Sequence, residues 1–352
     1  MNLNKFLIDA VKLNASDIFI LAYQPLSYKV NGRLYYKTEN SLTPIETANL
    51  INEIFALSLI EISNDTLTER DFIISLPEIG RFRVNVFCQS STVGAVIRVI
   101  PFVLPDPRAI NLPDVILNFA NLSRGLVLIT GTAGSGKSTT LACILDKINK
   151  TRDCHIITIE DPIEYKHHHK LALITQREIG TDTPNYKTAL KSLLRQAPNV
   201  IFIGEMRDYE TISAAISAAE TGHLVFSTLH TTGAASSVER IIDSFPHSAQ
   251  NQVRLQLSLN LQAVVSQQLI PTIDAKLHPI FEVLIANSAI KNLIREGNTH
   301  QINNTISTSR QEQMIDMDTS IFNLLLQKKI NTDTALKFSI NPRGLASKIN
   351  EA

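Results

Sequence analysis

One eight-residue pattern constrains this chain more than any other feature of its sequence: G-x-x-x-x-G-K-S, which is complete at Gly131–Ser138. An apolar run, Gly125–Thr130, precedes the pattern, and a stretch of helix-forming composition, Lys137–Asn149, continues beyond it. A strand, a glycine-rich loop and a helix in this order form the context in which such a pattern binds phosphate. We therefore predict a phosphate-binding loop between a buried strand and the start of a helix.

The residue types in this loop suit the phosphates of a nucleoside triphosphate. Glycines let the backbone wrap closely around phosphate oxygens, and the helix N-terminus adds a favourable dipole. We expect Lys137 to reach the β- and γ-phosphates and the Ser138 hydroxyl to bind Mg²⁺. The predicted nucleotide contacts of the loop are Gly131, Gly134, Ser135, Gly136, Lys137, Ser138 and Thr139.

The composition of the chain limits its partners. Lys plus Arg and Asp plus Glu both number 33, so the formal net charge is zero, and no global field attracts nucleic acid or an anionic membrane surface. We see neither an N-terminal signal nor an apolar stretch that could span a bilayer. The three scattered cysteines suit reduced thiols. We predict a cytoplasmic protein that binds no nucleic acid and is not inserted in a membrane.

The first hundred residues predict a small α+β domain. Apolar residues at helical spacing begin it, and Asn31-Gly32 between two strand-like runs is a strong hairpin signal. Thr43-Pro44-Ile45-Glu46 indicates a capping box at the start of a second helix. Residues 72–100 then alternate as two or three strands. We predict this domain at residues 1–100, followed by a proline-rich linker at residues 101–121.

Strand and helix alternate after residue 121, which predicts a parallel α/β sheet with its ligand chemistry at the carboxyl ends of the strands. We place this core at residues 122–270. From about Gln252 the pattern changes to helices, so residues 271–352 are predicted as a C-terminal helical region, with a polar loop at Gly297–Arg310. The predicted core strands are Gly125–Thr130, His155–Glu160, Asn199–Glu205 and His223–Leu229.

Carboxylates follow two of these strands. Glu160 and Asp161 end one strand, and Glu205 ends another. A single acid at a strand end often serves only solubility, but two such strands downstream of a complete phosphate loop favour Mg²⁺ binding or polarisation of an attacking water. We predict Glu205 as the residue that polarises water, with Glu160 as the second candidate, and both in the Mg²⁺ shell with Ser138.

Histidines flank one strand, and arginines lie on the last strands of the first domain. His223 and His230 stand at the two ends of Leu224–Leu229, where contact with phosphate and a purely structural role are both open. Arg83 and Arg98 are candidates because a cation neutralises charge that develops in phosphoryl transfer. In a ring they would reach a neighbour's nucleotide, and in a monomer they are strand-surface charges.

Several segments together resemble the secretion ATPase superfamily and, within it, the type IV pilus retraction ATPases. The resemblance extends roughly over residues 15–302, and its last segment is the most discriminating. The segments are GRFRVNVF (Gly80–Phe87), RGLVLITGTAGSGKSTTLA (Arg124–Ala142), IEDPIEY (Ile159–Tyr165), QREIGTDT (Gln176–Thr183), LLRQAPNVIFIGEMRD (Leu193–Asp208), AETGHLVFSTLHTTGAASSVERIID (Ala219–Asp243) and AIKNLIREGNTHQI (Ala289–Ile302).

This resemblance implies an α/β chain: a PAS-like N-terminal α+β domain, then a RecA-like P-loop ATPase domain with a C-terminal helical part. It implies a homohexamer that hydrolyses ATP with Mg²⁺ in the cytoplasm, at the inner face of the cytoplasmic membrane. The partner that it implies is an inner-membrane pilus platform protein. It identifies Gly131–Ser138 as Walker A, Glu160 and Asp161 as part of the Asp box, Glu205 as the Walker B acid, His223 and His230 as the His box, and Arg83 and Arg98 as contacts to a neighbouring subunit.

Departures from the family pattern keep alternatives open. Gln196-Ala197-Pro198-Asn199 stands where relatives carry aspartates around the proline, so a ring subunit that binds ATP but hydrolyses it poorly is one alternative. A related secretion or DNA-uptake ATPase is another. Against it, no four-cysteine zinc insertion follows the histidine segment, and the AIKNLIRE segment favours retraction. We therefore predict an ATP-hydrolysing motor for pilus retraction and twitching motility.

Overall fold

The computed structural model describes residues 3–30, 32–58, 69–76, 79–100, 104–274 and 276–351. The chain divides between residues 103 and 104 into two compact units. Each unit is built around one β-sheet. Among the described residues, no helix combines the length and the apolar composition that crossing a bilayer requires.

The first unit is an antiparallel sheet that packs against two helices. Its elements are α1 (Leu3–Lys12), β1 (Asp17–Ile20), β2 (Ser27–Val30), β3 (Arg33–Tyr36), α2 (Pro44–Leu57), β4 (Arg70–Leu76), β5 (Gly80–Gln89) and β6 (Thr92–Ile100). The strand order is β3-β2-β1-β6-β5-β4, and neighbouring strands run antiparallel. The predicted α+β character of this part of the chain is confirmed.

Local sequence explains both helices of this unit. In α1, Leu3, Leu7 and Ala10 recur at helical spacing and are buried in the apolar core. The capping box predicted before α2 is present: the Thr43 hydroxyl accepts a hydrogen bond from the Glu46 backbone N–H, and the Glu46 carboxylate accepts one from the Thr43 N–H at 2.8 Å. The chain therefore enters α2 where its sequence predicts.

The predicted hairpin connects β2 and β3. The two strands pair antiparallel, with Val30 opposite Arg33. Gly32 has φ +80°, in the left-handed region that a tight hairpin turn requires. Asn31 lies outside the described residues. The hairpin places β3 at the edge of the sheet, where all four of its residues are exposed.

The second unit is a seven-stranded sheet with an apolar core on each face. Its strands are β7 (Gly125–Thr130), β8 (His155–Glu160), β9 (Leu173–Glu178), β10 (Val200–Ile203), β11 (Leu224–Leu229), β12 (Leu261–Pro271) and β13 (Leu277–Ile285). Its helices are α3 (Asp114–Leu117), α4 (Lys137–Thr151), α5 (Tyr186–Leu193), α6 (Tyr209–Glu220), α7 (Ala234–Asp243), α8 (His247–Asn260), α9 (Ser288–Glu296), α10 (Ile302–Thr308), α11 (Met317–Leu326), α12 (Thr332–Phe338) and α13 (Pro342–Glu351), with 3-10 turns at Asn118–Asn121, Thr299–Gln301 and Arg310–Glu312.

Strand β7 lies inside this sheet, whose order is β13-β12-β7-β11-β10-β8-β9. Its six residues are all buried. Leu126 and Leu128 belong to the core on one face, and Val127 and Ile129 to the core on the other. A strand that is buried on both faces has a continuous apolar sequence, which is why β7 is predictable. Strands β12, β7, β11, β10, β8 and β9 run parallel, so their carboxyl ends meet at one edge.

The prediction of helices from about residue 252 is wrong for residues 261–271 and 277–285. These residues form the antiparallel strand pair β12–β13, and β12 extends the sheet beside β7. Its apolar pattern is interrupted by the polar residues Ser266, Gln267 and Glu282, which are nevertheless buried. A rule that searches for apolar runs misses strands of this kind. The helical part of the C-terminal region begins only at residue 288.

Two smaller elements also depart from the predictions. Helix α10 lies within the stretch predicted as a polar loop, and it forms because Ile302 and Ile306, one turn apart, are buried. Strand β9 was not predicted. It is the edge strand of the sheet and is only partly buried, so its sequence shows a weak pattern.

The stretch predicted as a linker packs on the second unit from residue 104 onward. Ile116 of α3 and Phe119 of the following 3-10 turn are buried in one of the two cores of that unit. Residues 101–103 lie outside the described residues. The short helix α3 and the 3-10 turn that follows it therefore cover this core just before β7.

Candidate nucleotide-binding site

The phosphate loop begins where β7 ends and runs into α4. Gly131, Gly134 and Gly136 have φ values of +142°, +76° and +90°, a region that other residues rarely adopt. Gly136 directly precedes the first turn of α4. The free N–H groups of that turn therefore point toward the loop, which is the arrangement that binds anions.

Gln267 on β12, which the sequence analysis missed, holds this loop from the side. Its backbone oxygen lies less than 3.0 Å from the place where a Cβ on Gly131 would stand, and its side-chain nitrogen lies equally close to such a position on Gly136. Its Oε1 accepts a hydrogen bond from the Thr140 hydroxyl at 2.7 Å. The strand β12 thus fixes both ends of the loop and the start of α4.

The glycines of the loop predict a contrast between two alanine substitutions. Gly131→Ala combines a positive φ with a clash against the Gln267 backbone, so we expect it to lower the free energy of unfolding by about 3 kcal/mol. Gly134→Ala has a positive φ but nothing within 4 Å of the new methyl group, so about 1 kcal/mol is expected. Urea unfolding of both variants measures the difference, and equal losses would contradict the role assigned to Gln267.

Lys137 is folded back onto the loop. Its Nζ donates hydrogen bonds to the carbonyl oxygens of Gly131 at 2.8 Å and Thr132 at 2.9 Å. Burial lowers the pKa of Lys137, against the opposing effect of Glu205 and Glu164. The ammonium group is therefore a buried cation whose neighbours include carboxylates, at the position where a phosphate is predicted.

Three hydroxyl groups at the loop differ in their partners. The Ser135 Oγ is buried and lacks a hydrogen-bond partner among the described residues, which suits a ligand oxygen because a buried unpaired hydroxyl is costly. The Thr139 hydroxyl lies 2.9 Å from that of Tyr165. Ser138 is half-buried in the first turn of α4. The loop thus presents unsatisfied polar capacity where phosphate oxygens are expected.

Glu160 ends β8 and is buried. Its Oε1 accepts hydrogen bonds from the Thr158 hydroxyl at 2.7 Å and the Gln176 amide at 3.2 Å. Burial raises the pKa of Glu160 to about 7, although both hydrogen bonds oppose this rise. At neutral pH this carboxyl group is therefore poised between its two protonation states, which is common for groups that act in a site.

This raised pKa predicts how stability depends on pH in the nucleotide-free protein. Glu160 loses its proton near pH 4.5 in the unfolded chain and near pH 7 in the folded one, so its contribution is fully present below the first value and falls as the pH rises through the second. Between about pH 5 and about pH 8, wild type should lose up to about 3 kcal/mol more unfolding free energy than Glu160→Gln. Guanidinium unfolding at both pH values measures this, and equal losses would refute it.

Glu205 follows β10 and is paired with Arg207 and His230. Its Oε2 lies 2.8 Å from Arg207 Nη2, and its Oε1 lies 3.1 Å from His230 Nε2. Burial alone would raise the pKa of Glu205, but the hydrogen bond from Arg207 and the charge of His230 outweigh it, so the pKa lies below its usual value. Unlike Glu160, this carboxylate is ionised at neutral pH. Arg207 is a further residue that the sequence analysis did not single out.

The Mg²⁺ prediction fits the donors that this edge of the sheet provides. Oxygen atoms are the ligands that Mg²⁺ prefers, and in phosphate sites it is held by one or two carboxylates together with phosphate oxygens and waters. Among the described residues, no group of three His, Cys, Asp or Glu side chains is arranged to hold a metal ion.

His223 does not join the phosphate loop within the chain. Leu224 pairs with Gly125 at the start of β7, whereas Leu229 pairs with Thr130 at its end. His223 therefore lies at the opposite edge of the sheet, about 20 Å away along a six-residue strand. Its Nδ1 lies 3.0 Å from the Ala218 carbonyl oxygen. His223 is therefore far from the phosphate loop of its own chain, because the two histidines that flank the strand lie at opposite ends of it. Its contact with nucleotide stays a prediction.

The residues Ala197 and Asn199 lie at that same opposite edge. Asn199 directly precedes β10, which carries Glu205 at its other end. The Asn199 Oδ1 accepts a hydrogen bond from the His155 backbone N–H at 2.8 Å, at the start of β8. Ala197 and Asn199, where the sequence departs from the family pattern, thus lie at the end of the sheet remote from the phosphate loop. They make no part of the phosphate loop of their own chain.

Arg83 and Arg98 lie opposite each other on β5 and β6 of the first unit. Arg98 is exposed, and its Nε donates to the buried Asp17 carboxylate at 3.1 Å. Arg83 is half-buried and lies 3.8 Å from Asp71. The antiparallel register places the two side chains on one face of the sheet.

A family model described as type II/IV secretion system protein matches residues 1–332. The chain belongs to this family. The match includes both units and every candidate site residue described above. The predicted secretion ATPase resemblance is thereby confirmed.

Individual members of the family are similar over nearly the whole chain. A twitching motility protein of Neisseria gonorrhoeae is 44% identical over 319 residues, which cover 90% of this chain and 85% of that protein. The type IV pilus retraction ATPase PilT of Pseudomonas aeruginosa is 40% identical over 342 residues, 95% of this chain and 97% of the relative. A crystal structure of the retraction motor PilT with bound ADP has 40% sequence identity and a TM-score of 0.88, with 99% of both chains covered.

These similarities bear on three predictions. The α/β fold class is confirmed, since the structural match to this family member extends over both units. The prediction of a secretion-type ATPase is confirmed by the family and by its retraction ATPase members. The prediction of a pilus retraction ATPase is confirmed against the alternative of a secretion or DNA-uptake ATPase.

Proposed function

We propose that this chain is the subunit of a homohexameric, ATP-hydrolysing motor that powers pilus retraction and twitching motility. The observation that carries the proposal is a complete phosphate loop whose charged neighbours, Lys137 and Glu205, lie in a chain that matches an ADP-bound retraction motor over 99% of its length. Fold alone would not suffice for this conclusion. The charged side chains beside the loop support the proposal, because Lys137 can bind phosphate and Glu205 can polarise water.

Nucleotide binding would exchange the partners of Lys137. The ammonium group leaves the carbonyl oxygens of Gly131 and Thr132 and binds the β- and γ-phosphates, while the loop N–H groups and the Ser135 hydroxyl bind the remaining oxygens. Because Lys137 is already desolvated at the loop, little further desolvation opposes this exchange. The loop is preorganised for a polyphosphate in this sense.

The hydrolytic step needs a carboxylate that stays ionised. Glu205 has a lowered pKa and Glu160 a raised one, so we assign Glu205 to orient and polarise the attacking water and Glu160 to a supporting position. His230 contacts one oxygen of the Glu205 carboxylate, and Arg207 contacts the other. Ser138, Glu160 and Glu205 would hold Mg²⁺, which supplies positive charge to the phosphate oxygens when it is bound.

Arg83, Arg98 and His223 are proposed to act between subunits. The two arginines lie opposite each other on one face of the sheet of the first unit, and His223 lies at the end of the strands of the second unit that is remote from its own phosphate loop. In a ring, residues of this kind stabilise charge on a neighbour's nucleotide. An inner-membrane pilus platform protein is the proposed partner, and the inner face of the cytoplasmic membrane the proposed location.

ATP hydrolysis by the purified chain, with ring size measured by light scattering, tests this function. We expect Mg²⁺-dependent turnover that rises with the fraction of hexamer. Turnover by monomers alone would contradict the ring. Tight ATP binding without turnover would replace the motor by a regulatory ring subunit, and salt-dependent binding of DNA with ATPase stimulation would replace it by a translocase.

A further inference from the structure

Glu282, which the mechanism above does not use, lies beside the segment that carries His230. It is buried in β13, and its Oε1 accepts a hydrogen bond from the backbone N–H of Ala234 at 2.6 Å. Ala234 is the first residue of α7, a helix that has no side-chain cap of its own. Glu282 on β13 therefore supplies the cap that α7 lacks. The capped residue, Ala234, lies four residues beyond His230 in the chain.

The cross-strand neighbour of Glu282 binds the same segment. Ser266 on β12 is opposite Glu282, and its hydroxyl accepts a hydrogen bond from the Gly233 N–H at 2.9 Å. The Ser237 hydroxyl lies 2.7 Å from that of Thr231 and 3.3 Å from that of Thr130, at the end of β7. The stretch between His230 and α7 is thus held to the β12–β13 strand pair and to the strand that bears the phosphate loop.

On its other side, β13 is joined to the C-terminal helices. Val283 and Ile315 exchange two backbone hydrogen bonds of 2.8 and 3.0 Å. The Ser320 hydroxyl of α11 donates to the Phe281 carbonyl oxygen at 2.8 Å. The backbone of Met317, the first residue of α11, is close enough to the Glu282 carboxylate to lower its pKa. One carboxylate therefore meets the N-termini of α7 and α11.

The buried environment of Glu282 is energetically unfavourable for an ionised carboxylate. Burial, and to a lesser extent the nearby Asp316 and Asp318, raise the pKa of Glu282 to about 7, although the backbones of Ala234 and Met317 oppose the rise. A buried acid without a cation costs stability that an apolar side chain would not. Costly groups of this kind are typical of sites where geometry matters for function.

We propose that Glu282 is a positioning residue for ATP hydrolysis, which couples the start of α11 to the loop that carries His230 and hence to the orientation of Glu205. The inference rests on the proposed function. Its geometry runs through named contacts. Ser320 of α11 binds the Phe281 carbonyl oxygen, next to Glu282 on β13, at 2.8 Å. Glu282 binds the Ala234 N–H at 2.6 Å, and His230 lies 3.1 Å from Glu205. A shift of the C-terminal helices would in this way change the hold of His230 on the carboxylate that polarises water.

Kinetics of Glu282→Gln test this coupling, because the amide keeps the size of the side chain and removes its charge. We expect kcat to fall about tenfold with the KM for ATP unchanged. In the His230→Ala background the same change should cost less than about twofold, since the residues act through one another. Glu220→Gln, an exposed acid on α6, is the matched control and should have wild-type kcat. If the double variant instead loses kcat by the product of the two single-variant factors, the two residues act independently and the proposal is overturned.

Hydrogen exchange without nucleotide tests the coupling independently of turnover. In Glu282→Gln, amides of residues 230–238 and 315–321 should exchange faster, while those of α4 should not change. Ser320→Ala, which removes the hydrogen bond from α11 to the Phe281 carbonyl oxygen and leaves Glu282 in place, should also speed exchange at residues 230–238. A change confined to residues 315–321 in that variant would overturn the coupling. Wild-type inactivity together with coupled exchange would instead reject the proposed function alone.

Discussion

Lys137→Ala is expected to reduce ATP turnover by about 10²–10³-fold while the fold remains intact. The ammonium group is the one cation that the phosphate loop itself contributes, and it is already desolvated beside the loop carbonyls. Alanine leaves the loop backbone in place but offers nothing to the β- and γ-phosphates. Steady-state hydrolysis of ATP measures the loss, and circular dichroism with urea unfolding checks the fold.

The same helix supplies a control for this substitution. Lys147 lies further along α4, where its Nζ donates to the Asn118 side chain at 3.1 Å. Lys147→Ala removes a cation of the same type from the same helix, so it should keep wild-type turnover. Full activity of Lys137→Ala would refute the phosphate site, and equal losses in both variants would point to damage of α4 rather than to lost phosphate contact.

Glu205→Gln is expected to lower kcat by about 10²–10⁴-fold with little change in the KM for ATP. The amide preserves the shape of the side chain but cannot polarise water, and it no longer attracts Arg207 and His230 as a carboxylate does. Nucleotide affinity should persist because Lys137 and the loop N–H groups are untouched. Single-turnover hydrolysis and binding of a fluorescent ATP analogue separate the two effects.

Two companion variants sharpen this result. Glu210→Gln removes an exposed acid on α6 that pairs with Lys187, and should be silent. Glu160→Gln should lower kcat less than Glu205→Gln does. If Glu160→Gln instead abolishes turnover and Glu205→Gln spares it, the roles assigned to the two acids from their opposite pKa shifts must be exchanged.

The nucleotide site was predictable where local sequence alone determines the structure. The strand β7 is apolar throughout because it is buried on both faces, and the glycines of the loop mark positive φ values that few other residues adopt. Glu160 and Glu205 end parallel strands, so their common edge follows from the alternation of strands and helices. No contact between distant segments was needed for these inferences.

The rest of the site depends on contacts between distant parts of the chain. Gln267 reaches the loop only because β12 pairs with β7, and its polar sequence predicted a helix. The pairing of Glu205 with Arg207 and His230 needs the ends of β10 and β11 to be neighbours. For His223 the sequence suggests a contact that the chain does not make. It flanks the same strand as His230 but lies at the end of the sheet that is far from the phosphate loop. Sequence patterns predict where strands and helices lie, but they do not predict which side chains of distant segments contact each other.

The late position of β12 in the chain also affects how the protein is made. Strand β7 is finished at residue 130, but the strand that pairs with one of its edges begins only at residue 261. At ordinary rates of translation the ribosome needs roughly 10 s to cover that interval. During this time an apolar central strand keeps an open edge, and Gln267 is not yet in place beside the glycines. The nascent chain therefore acquires its nucleotide site late and must be kept from aggregating until this strand pair emerges.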